Sequence, residues 1–319
     1  MRIVLSGALP EPRLARELTP YLKKSAPTLV QIFEQYGATR ILADSSQAMC
    51  TGLEQWLLNE YKFAPRPKQH VGAGVSLLTL LELLECSEKS AISNIDAARP
   101  LWFLELVNIS PSRDGAILTL SNELEISKIE SQQLFESATE SFKAAKFDVS
   151  FIKSNVWLAH LPNNMAPKCA SPSLVSTDNL NNWWSKSQRE RPWRKLSNEI
   201  QMLWFDHPVN KKRFDQQKLP INGLWLYGGA ALNQINNSVI DKNIIINRSL
   251  ENSYNAQDWG VWIETLKQLD NDIKSQKEIK ELVLIGEACI VSLSPVNNIW
   301  SKLGIKRKQP WEKWWQPPS

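Results

Sequence analysis

The sequence predicts an α/β protein with a smaller α+β unit inserted into it, on three observations. RIVLS, residues 2–6, is an apolar run of strand length followed at once by helical periodicity. From LWFLELVNI to NVWLAHL the middle of the chain reads β-β-α-β-β between two polar stretches. Beyond it the apolar run GLWLYGG, a helical segment and ELVLI resume the α/β alternation. At 319 residues the chain is long for one small core. The expected division is a core lobe made of 1–95 and 206–319, with residues 96–205 as the insertion and its connecting loop and helix.

Taken in order, LTPYLKKSAPTLVQIFEQYG is expected to be helical and closed by Gly37, because glycine accepts the left-handed conformation that ends helices. GLEQWLLNEY and VSLLTLLELLE are further helices, and the polar EKSAISNIDAARP marks a boundary near residue 95. SPSRDG, with Asp114-Gly115, is a turn joining LWFLELVNI to AILTLS as a hairpin. Ser127 and Glu130 have capping-box spacing, and Ile126, Ile129, Leu134, Ala138 and Phe142 recur at nearly helical intervals. FDVSFI and NVWLAHL follow as strands. Residues 162–182, rich in Pro, Asn and Ser, read as a long surface loop, either mobile or lying over a cleft. RKLSNEIQMLWFDH puts Leu196, Ile200 and Leu203 on one helical face, with Pro208 marking its end. GLWLYGG is a strand entering a tight turn. A helix around Asp258 to Leu269, the strand ELVLI and a Trp-rich tail complete the chain.

Composition narrows the function classes. Hydrophobic residues make up 43% and charged residues 22%, the make-up of a folded globular chain. A formal net charge of +4 and the absence of long basic blocks argue against a nucleic-acid partner. No run approaches the ~20 apolar residues of a membrane span, and the five-residue apolar start is too short for a signal-peptide core. Cys50, Cys86, Cys169 and Cys289 form no CxxC or Cys/His pair, so they read as reduced thiols in a cytoplasmic protein. Among the fourteen tryptophans, the pair Trp183-Trp184 and the tail WEKWW are conspicuous; packing is the expected use, with the tail docked on its own protein or on a partner.

Chemistry-bearing signals are weak taken one by one. His207, at the expected C-terminus of a helix, is either a cap held by the dipole or an acid/base or phosphate contact. Arg213 beside Lys211 and Lys212 suits a phosphate or carboxylate, because guanidinium matches those oxygens with two parallel bonds; such a run is also an ordinary solvated face. Asn210 and Asn222 suit loop fixation through side-chain to backbone bonds. Gly228-Gly229 either exposes backbone N–H groups to an anion or permits a turn. Gly72-Ala73-Gly74 lacks the third glycine and preceding strand of a dinucleotide site. No Walker sequence and no GxSxG elbow occur, and His70, His160 and His207 are too far apart to share a helix face as metal ligands. His160, on a strand, reads as a packing residue.

Residues 198–230 carry a more specific signal. "HPVNKKR" followed by "LPINGLWLYGGA" resembles the pattern His-Pro-Val-Asn-x-x-Arg, then Pro-Ala-Asn and an apolar strand ending in Gly-x-Gly, of archaeal-type cofactor-independent phosphoglycerate mutases. The chain resembles the RpfE-type bacterial regulatory proteins, which are similar to those mutases. "APTLVQIFEQYGA", "VGAGVSL" and the β-β-α-β-β middle fit the same pattern more loosely. The resemblance implies an alkaline-phosphatase-like core with the inserted α+β domain, and it places His207, Asn210, Arg213 and Asn222 beside a ligand cleft. A phosphorylated small molecule and a protein partner are what it suggests as partners. The mutases' metal-binding Asp-Gly after the first strand is Ser6-Gly7 here, and their Asp-His-Gly is Gly286-Glu287 in "VLIGEACI". "ELVNI" stands where RpfE-type proteins tend to have Asp-Pro-Val-His-Leu. Such phosphoryl transfer uses two divalent metals, so the expectation is no catalytic residue, no metal and no cofactor: a non-catalytic regulatory or ligand-sensing protein. The alternative is an active metal-dependent mutase or phosphatase with a displaced ligand set.

Overall fold

The computed structural model describes residues 1–85, 95–162, 165–184, 187–236, 243–276, 278–296 and 310–316. Most of the boundary stretch read at 88–100, together with Cys86, lies outside the described residues. The fold is mixed α/β with two sheets. Their strands are β1 Arg2–Leu9, β2 Tyr36–Leu42, β3 Leu101–Ser112, β4 Gly115–Thr119, β5 Asp148–Phe151, β6 Val156–His160, β7 Gly223–Ala230, β8 Ile244–Asn247, β9 Glu281–Gly286 and β10 Cys289–Pro295. The chain forms two compact units, Met1–Ser45 with Val239–Ser319, and Ser46–Ser238. The boundaries read from the sequence at 96 and 205 both fall inside the second unit, because β7 pairs with β3 from Val107 to Leu101.

In the first unit the strand order is β2-β10-β9-β1-β8. β1 runs parallel to β8 and β9, and β10 is antiparallel to both β9 and β2. Helices Pro12–Ser25, Pro27–Gln35 and Trp259–Lys274 bury Leu18, Leu22, Phe33, Trp262 and Leu266 in one core with Leu5, Leu282 and Leu284. The first segment read as one helix is two. Ala26 precedes a proline, whose ring disfavours helical geometry in the residue before it, and Ala26 sits at φ −133°. Gly37 lies in β2 opposite Ser294 and ends no helix. The second helix starts on Asp270, whose buried carboxylate accepts N–H of Thr28 at 3.2 Å and of Leu29 at 2.7 Å. The tail docks in this unit: Trp311 and Trp315 are buried around Phe33, and Trp315 Nε1 donates to Ala15 O.

The second unit is built on β3. Its sheet has the order β4-β3-β6-β5, with β7 also paired to β3, and every pairing is antiparallel. β3 is apolar nearly throughout because both faces are covered. Leu101, Phe103 and Val107 enter one core with Leu77, Leu80 and Tyr227. Trp102, Leu104 and Leu106 enter another beneath helices Lys128–Ala144 and Arg191–Phe205. The Ser127–Glu130 capping box forms in both directions. Two readings of the periodicity shift: Ile129 points to solvent, and Trp204, not Leu203, continues the face of Leu196 and Ile200. Residues 165–184 are not a surface loop. Ser171 and Asn179 cap the short helices Pro172–Val175 and Leu180–Trp183, and Met165, Cys169, Ala170 and Leu174 are buried.

Candidate functional site

Helix Arg191–Phe205 ends before Pro208, and that proline opens a new helix, Pro208–Asp215, at its first position, where a missing N–H costs nothing. His207 is therefore an N-cap, not a C-terminal residue. Its Nδ1 accepts the Val209 N–H at 3.2 Å, which requires an unprotonated nitrogen, and burial holds its pKa below the ordinary histidine value. Asn210, three residues on, is buried and clamps two chain segments: Nδ2 donates to Trp204 O and Ile221 O, and Oδ1 accepts from Ile221 N–H. Asn222 pairs with β3 as a strand residue would, accepting from Ile109 N–H at 2.7 Å and donating to Ile109 O at 2.9 Å.

Arg213 is 1% exposed. Its Nε donates to Leu219 O, Nη1 to Glu130 Oε1 at 2.9 Å, and Nη2 to Leu124 O. Burial works against the Glu130 carboxylate, but bonds from the Ser127 side chain and backbone, then Arg213, outweigh it and hold its pKa below the usual range. The guanidinium thus ties the turn after its own helix to the start of helix Lys128–Ala144. The four residues named by the resemblance do come together, around the corner 204–222, and the bonds just given all run to protein atoms.

Gly228-Gly229 is neither a turn nor an anion nest. The pair sits inside β7 at φ +108° and +104°, where the register against Leu101 and Trp102 slips by one residue. A Cβ on Gly228 would lie 2.5 Å from Ser76 Cβ, and one on Gly229 2.7 Å from the Trp102 ring. Both are packing glycines at a bulge.

The parallel strands of the first unit end at the place where ligands usually enter open α/β sheets. Register sets Ser6 opposite Ile285 and Leu9 opposite Gly286, so Ser6-Gly7 and Gly286-Glu287 are brought together across neighbouring strands. Ser6 is buried, Gly7 O accepts Trp262 Nε1–H, and Glu287 O accepts from Ser45 Oγ. Nearby Tyr254 is pushed up to about 12 by burial, with the charges of Glu287, Glu11 and Cys289 adding to the effect. Among the described residues no three His, Cys, Asp or Glu side chains converge on a metal-sized point.

Other reactive side chains are also held in quiet forms. Burial pushes the Cys50 and Cys169 thiols far up, next to Glu54 and Glu190 respectively. His70 and His160 are held below their ordinary value, chiefly by burial, and the Nδ1 of each is buried without a hydrogen-bond partner. On β3, burial raises the Glu105 pKa although Ser121 donates to it twice, and Glu54 and Glu82 raise it further.

One hollow in the second unit combines aromatic faces with charge. It has a volume of about 660 Å³ and is lined by Met49, Lys168, Trp183, Trp184, Asn182 and Glu190, among others. That volume falls in the range of small-molecule sites. Trp184 leans on Trp225, whose Nε1 donates to Ala170 O. Trp183 is fixed by its Nε1–H to Asp178, which also accepts from Asn182 and from Asn179 N–H. Buried Glu190 accepts the Lys168 N–H. The Trp-Trp pair is visible in the sequence, but no local pattern connects it, or the segment 162–182, to Met49 or Glu190.

No protein-family model matches the chain, so the RpfE-type resemblance rests on the residues quoted for it, and no curated protein sequence matches either. Among solved structures the chain is similar to the cofactor-independent phosphoglycerate mutase from Thermoplasma acidophilum DSM 1728, at 12% identity over 94% of this chain and 91% of that one, with a TM-score of 0.37. It is also similar to the PH0037 protein from Pyrococcus horikoshii, at 10% identity over 92% and 86%, with a TM-score of 0.41.

Proposed function

We propose that this is a non-catalytic ligand-sensing or regulatory protein on a phosphoglycerate-mutase-like scaffold, with its ligand held in the hollow beside Trp183 and Trp184. The observation that supports this most directly is the lining of that hollow. Trp183, fixed by its hydrogen bond to Asp178, and Trp184, leaning on Trp225, offer flat apolar surface, and Lys168 adds a cation to the lining. Asp178 is held by Trp183, Asn182 and Asn179 and Glu190 by the Lys168 backbone N–H, and Lys168 is the one cation among the lining residues, so its ammonium is the group offered to an anion from solution. The ligand class that suits this is a small phosphorylated molecule with a planar or apolar body. Elsewhere the residues that would carry chemistry serve the fold: Arg213, Asn210 and Asn222 fasten chain segments, and both buried thiols are held protonated.

Titration of phosphoglycerates and inorganic phosphate, followed by tryptophan emission and calorimetry, tests the reading. A saturable signal in the parent that is lost in Lys168→Ala and altered in Trp184→Phe is expected, together with no turnover of phosphoglycerates in the presence of manganese. Repeated manganese-dependent turnover of a phosphoester would instead establish the enzyme.

A further inference from the structure

The first sheet ends on one side in β2, Tyr36–Leu42, which is bonded to β10 and to no other described strand. Ala38 to Leu42 are exposed throughout, Ile41 at 53% and Leu42 at 77%, one on each face of the sheet. Which backbone groups this edge leaves open follows from one bond. Ala43 N–H donates to Ala288 O at 3.0 Å, and antiparallel pairs alternate between exchanging bonds with the neighbouring strand and facing away from it. Ile41, Thr39 and Gly37 therefore bond to β10, whereas Leu42, Arg40 and Ala38 turn their N–H and C=O groups outward. Pro295, opposite Tyr36, falls at a position where no N–H is needed, as this alternation requires.

Edge strands are usually protected by proline, lysine, an inward-pointing charge or a bulge. β2 reads YGATRIL, with Arg40 its one charge, and its register against β10 runs from Tyr36 to Leu42 without a shift. The strand is instead complementary to itself. Laid antiparallel on a copy of itself about Thr39, it overlaps over its whole length, with Thr39 opposite Thr39, Ala38 opposite Arg40, Gly37 opposite Ile41 and Tyr36 opposite Leu42. An axis through Arg40 would set like charges opposite each other, whereas here each guanidinium meets a small residue. The groups turned outward are also the ones this register uses. Ala38 and Arg40 of opposite copies exchange both bonds, and Leu42 N–H reaches Tyr36 O, whose own N–H is already given to Ile32 O. The opposite edge, β8, is four residues long and offers a shorter match.

We propose that β2 pairs edge to edge with β2 of a second copy of this chain, joining two five-stranded sheets into one continuous sheet across a two-fold axis at Thr39. Such a pairing uses the same surface on both copies and so closes on itself as a dimer. Ile41 then lies opposite Gly37 and Leu42 opposite the Tyr36 ring, which takes both exposed aliphatic side chains out of water. Pairing one strand of this length makes a small interface, so the dimer forms reversibly and its fraction rises with concentration.

Analytical ultracentrifugation of the full chain up to roughly 100 μM tests this, with a dimer expected whose fraction rises with concentration. Ala38→Pro removes an outward N–H and leaves the β10 bonds in place, and Thr39→Lys sets two ammonium groups face to face at the axis; both should be monomeric over the same range. Thr39 is exposed, so melting curves of Thr39→Lys should match the parent, and this variant reports even if the proline variant fails to fold. Register is read by cysteine. Directly opposite residues that exchange no bonds have Cα atoms about 4.5 Å apart, within disulfide range, so Thr39→Cys should give a covalent dimer on mild oxidation while Ile41→Cys and the parent do not. A parent that stays monomeric throughout, a dimer unaffected by Thr39→Lys, or cross-linking of Ile41→Cys equal to that of Thr39→Cys overturns the proposal. Larger species dispersed by Ile245→Lys on β8 overturn it too, since β2 of one copy would then be meeting β8 of the next.

Discussion

Replacing Arg213 by alanine should unfold the second unit several degrees early, and the structure sets the size of the effect. Three bonds are lost at once: to Leu219 O, to Glu130 and to Leu124 O. Breaking a buried ion pair by removing one partner costs about 3–5 kcal/mol. The two carbonyls left without a donor cost about 1–3 kcal/mol each where water cannot reach them, terms that overlap with the first. Glu130 is 20% exposed and keeps its bonds from Ser127, so its own loss is screened and the total stays near 3–5 kcal/mol. At about 2–4 °C per kcal/mol for a unit of this size, the melting midpoint should fall by roughly 6–20 °C. Tryptophan emission is a suitable reporter, because Trp157 and Trp204 meet edge-on at 6.0 Å in the same core. Arg213→Lys should recover only part of the loss, since a lysine cannot span three acceptors in a plane. Glu130→Gln leaves the buried guanidinium its two carbonyls but no counter-charge, and should cost a comparable amount, about 3 kcal/mol. A melting midpoint for Arg213→Ala within ~2 °C of the parent, with phosphoglycerate binding abolished, would refute the structural role and restore Arg213 as a ligand contact.

Burial raises the Glu105 pKa, so its stabilising contribution is complete below the unfolded value and is lost as pH rises through the folded one. Glu105→Gln still presents an acceptor to Ser121, and its urea midpoints should gain on those of the parent as pH rises from weakly acidic to neutral; a variant less stable than the parent at every pH contradicts this. His70, His160 and His207 are all held below the ordinary value of 6.5, so the unfolded chain binds more protons and stability falls as pH drops below about that value. His207→Asn keeps an N-cap acceptor, and its melts should match the parent at neutral pH and exceed it in mild acid. Gly229→Ala places a methyl against the Trp102 ring at a positive φ and should cost about 1–3 kcal/mol in thermal melts, whereas a neutral result would show that the bulge relaxes.

Sequence alone was sufficient wherever the signal is carried by near neighbours. The capping box of Ser127 and Glu130, the Asp114-Gly115 hairpin and the first strand form as read, because their bonds join residues a few positions apart. Ser6-Gly7 and Gly286-Glu287, linked in sequence only through the resemblance, lie on neighbouring strands, with Ser6 opposite Ile285 and Leu9 opposite Gly286. Pro208 does follow the end of the preceding helix, as the sequence indicates, and also opens the next one, whereas Pro27 starts a second helix inside a segment whose apolar period runs across it, since period is blind to a local break.

Only the tertiary structure decided what the corner 204–222 does. Arg213 meets Glu130 across 83 residues and Asn222 meets Ile109 across 113, and no local pattern says whether a guanidinium will face water or a part-buried carboxylate. β7 joins β3 for the same reason, through edges that are apolar on both faces and so indifferent in sequence to which partner they take. The hollow at Trp183 and Trp184 likewise assembles Met49, Lys168 and Glu190 from segments far apart in the chain. Chain closure over such distances is set by the fit of whole cores, a property of packed surfaces that the order of residues along one strand or helix does not contain.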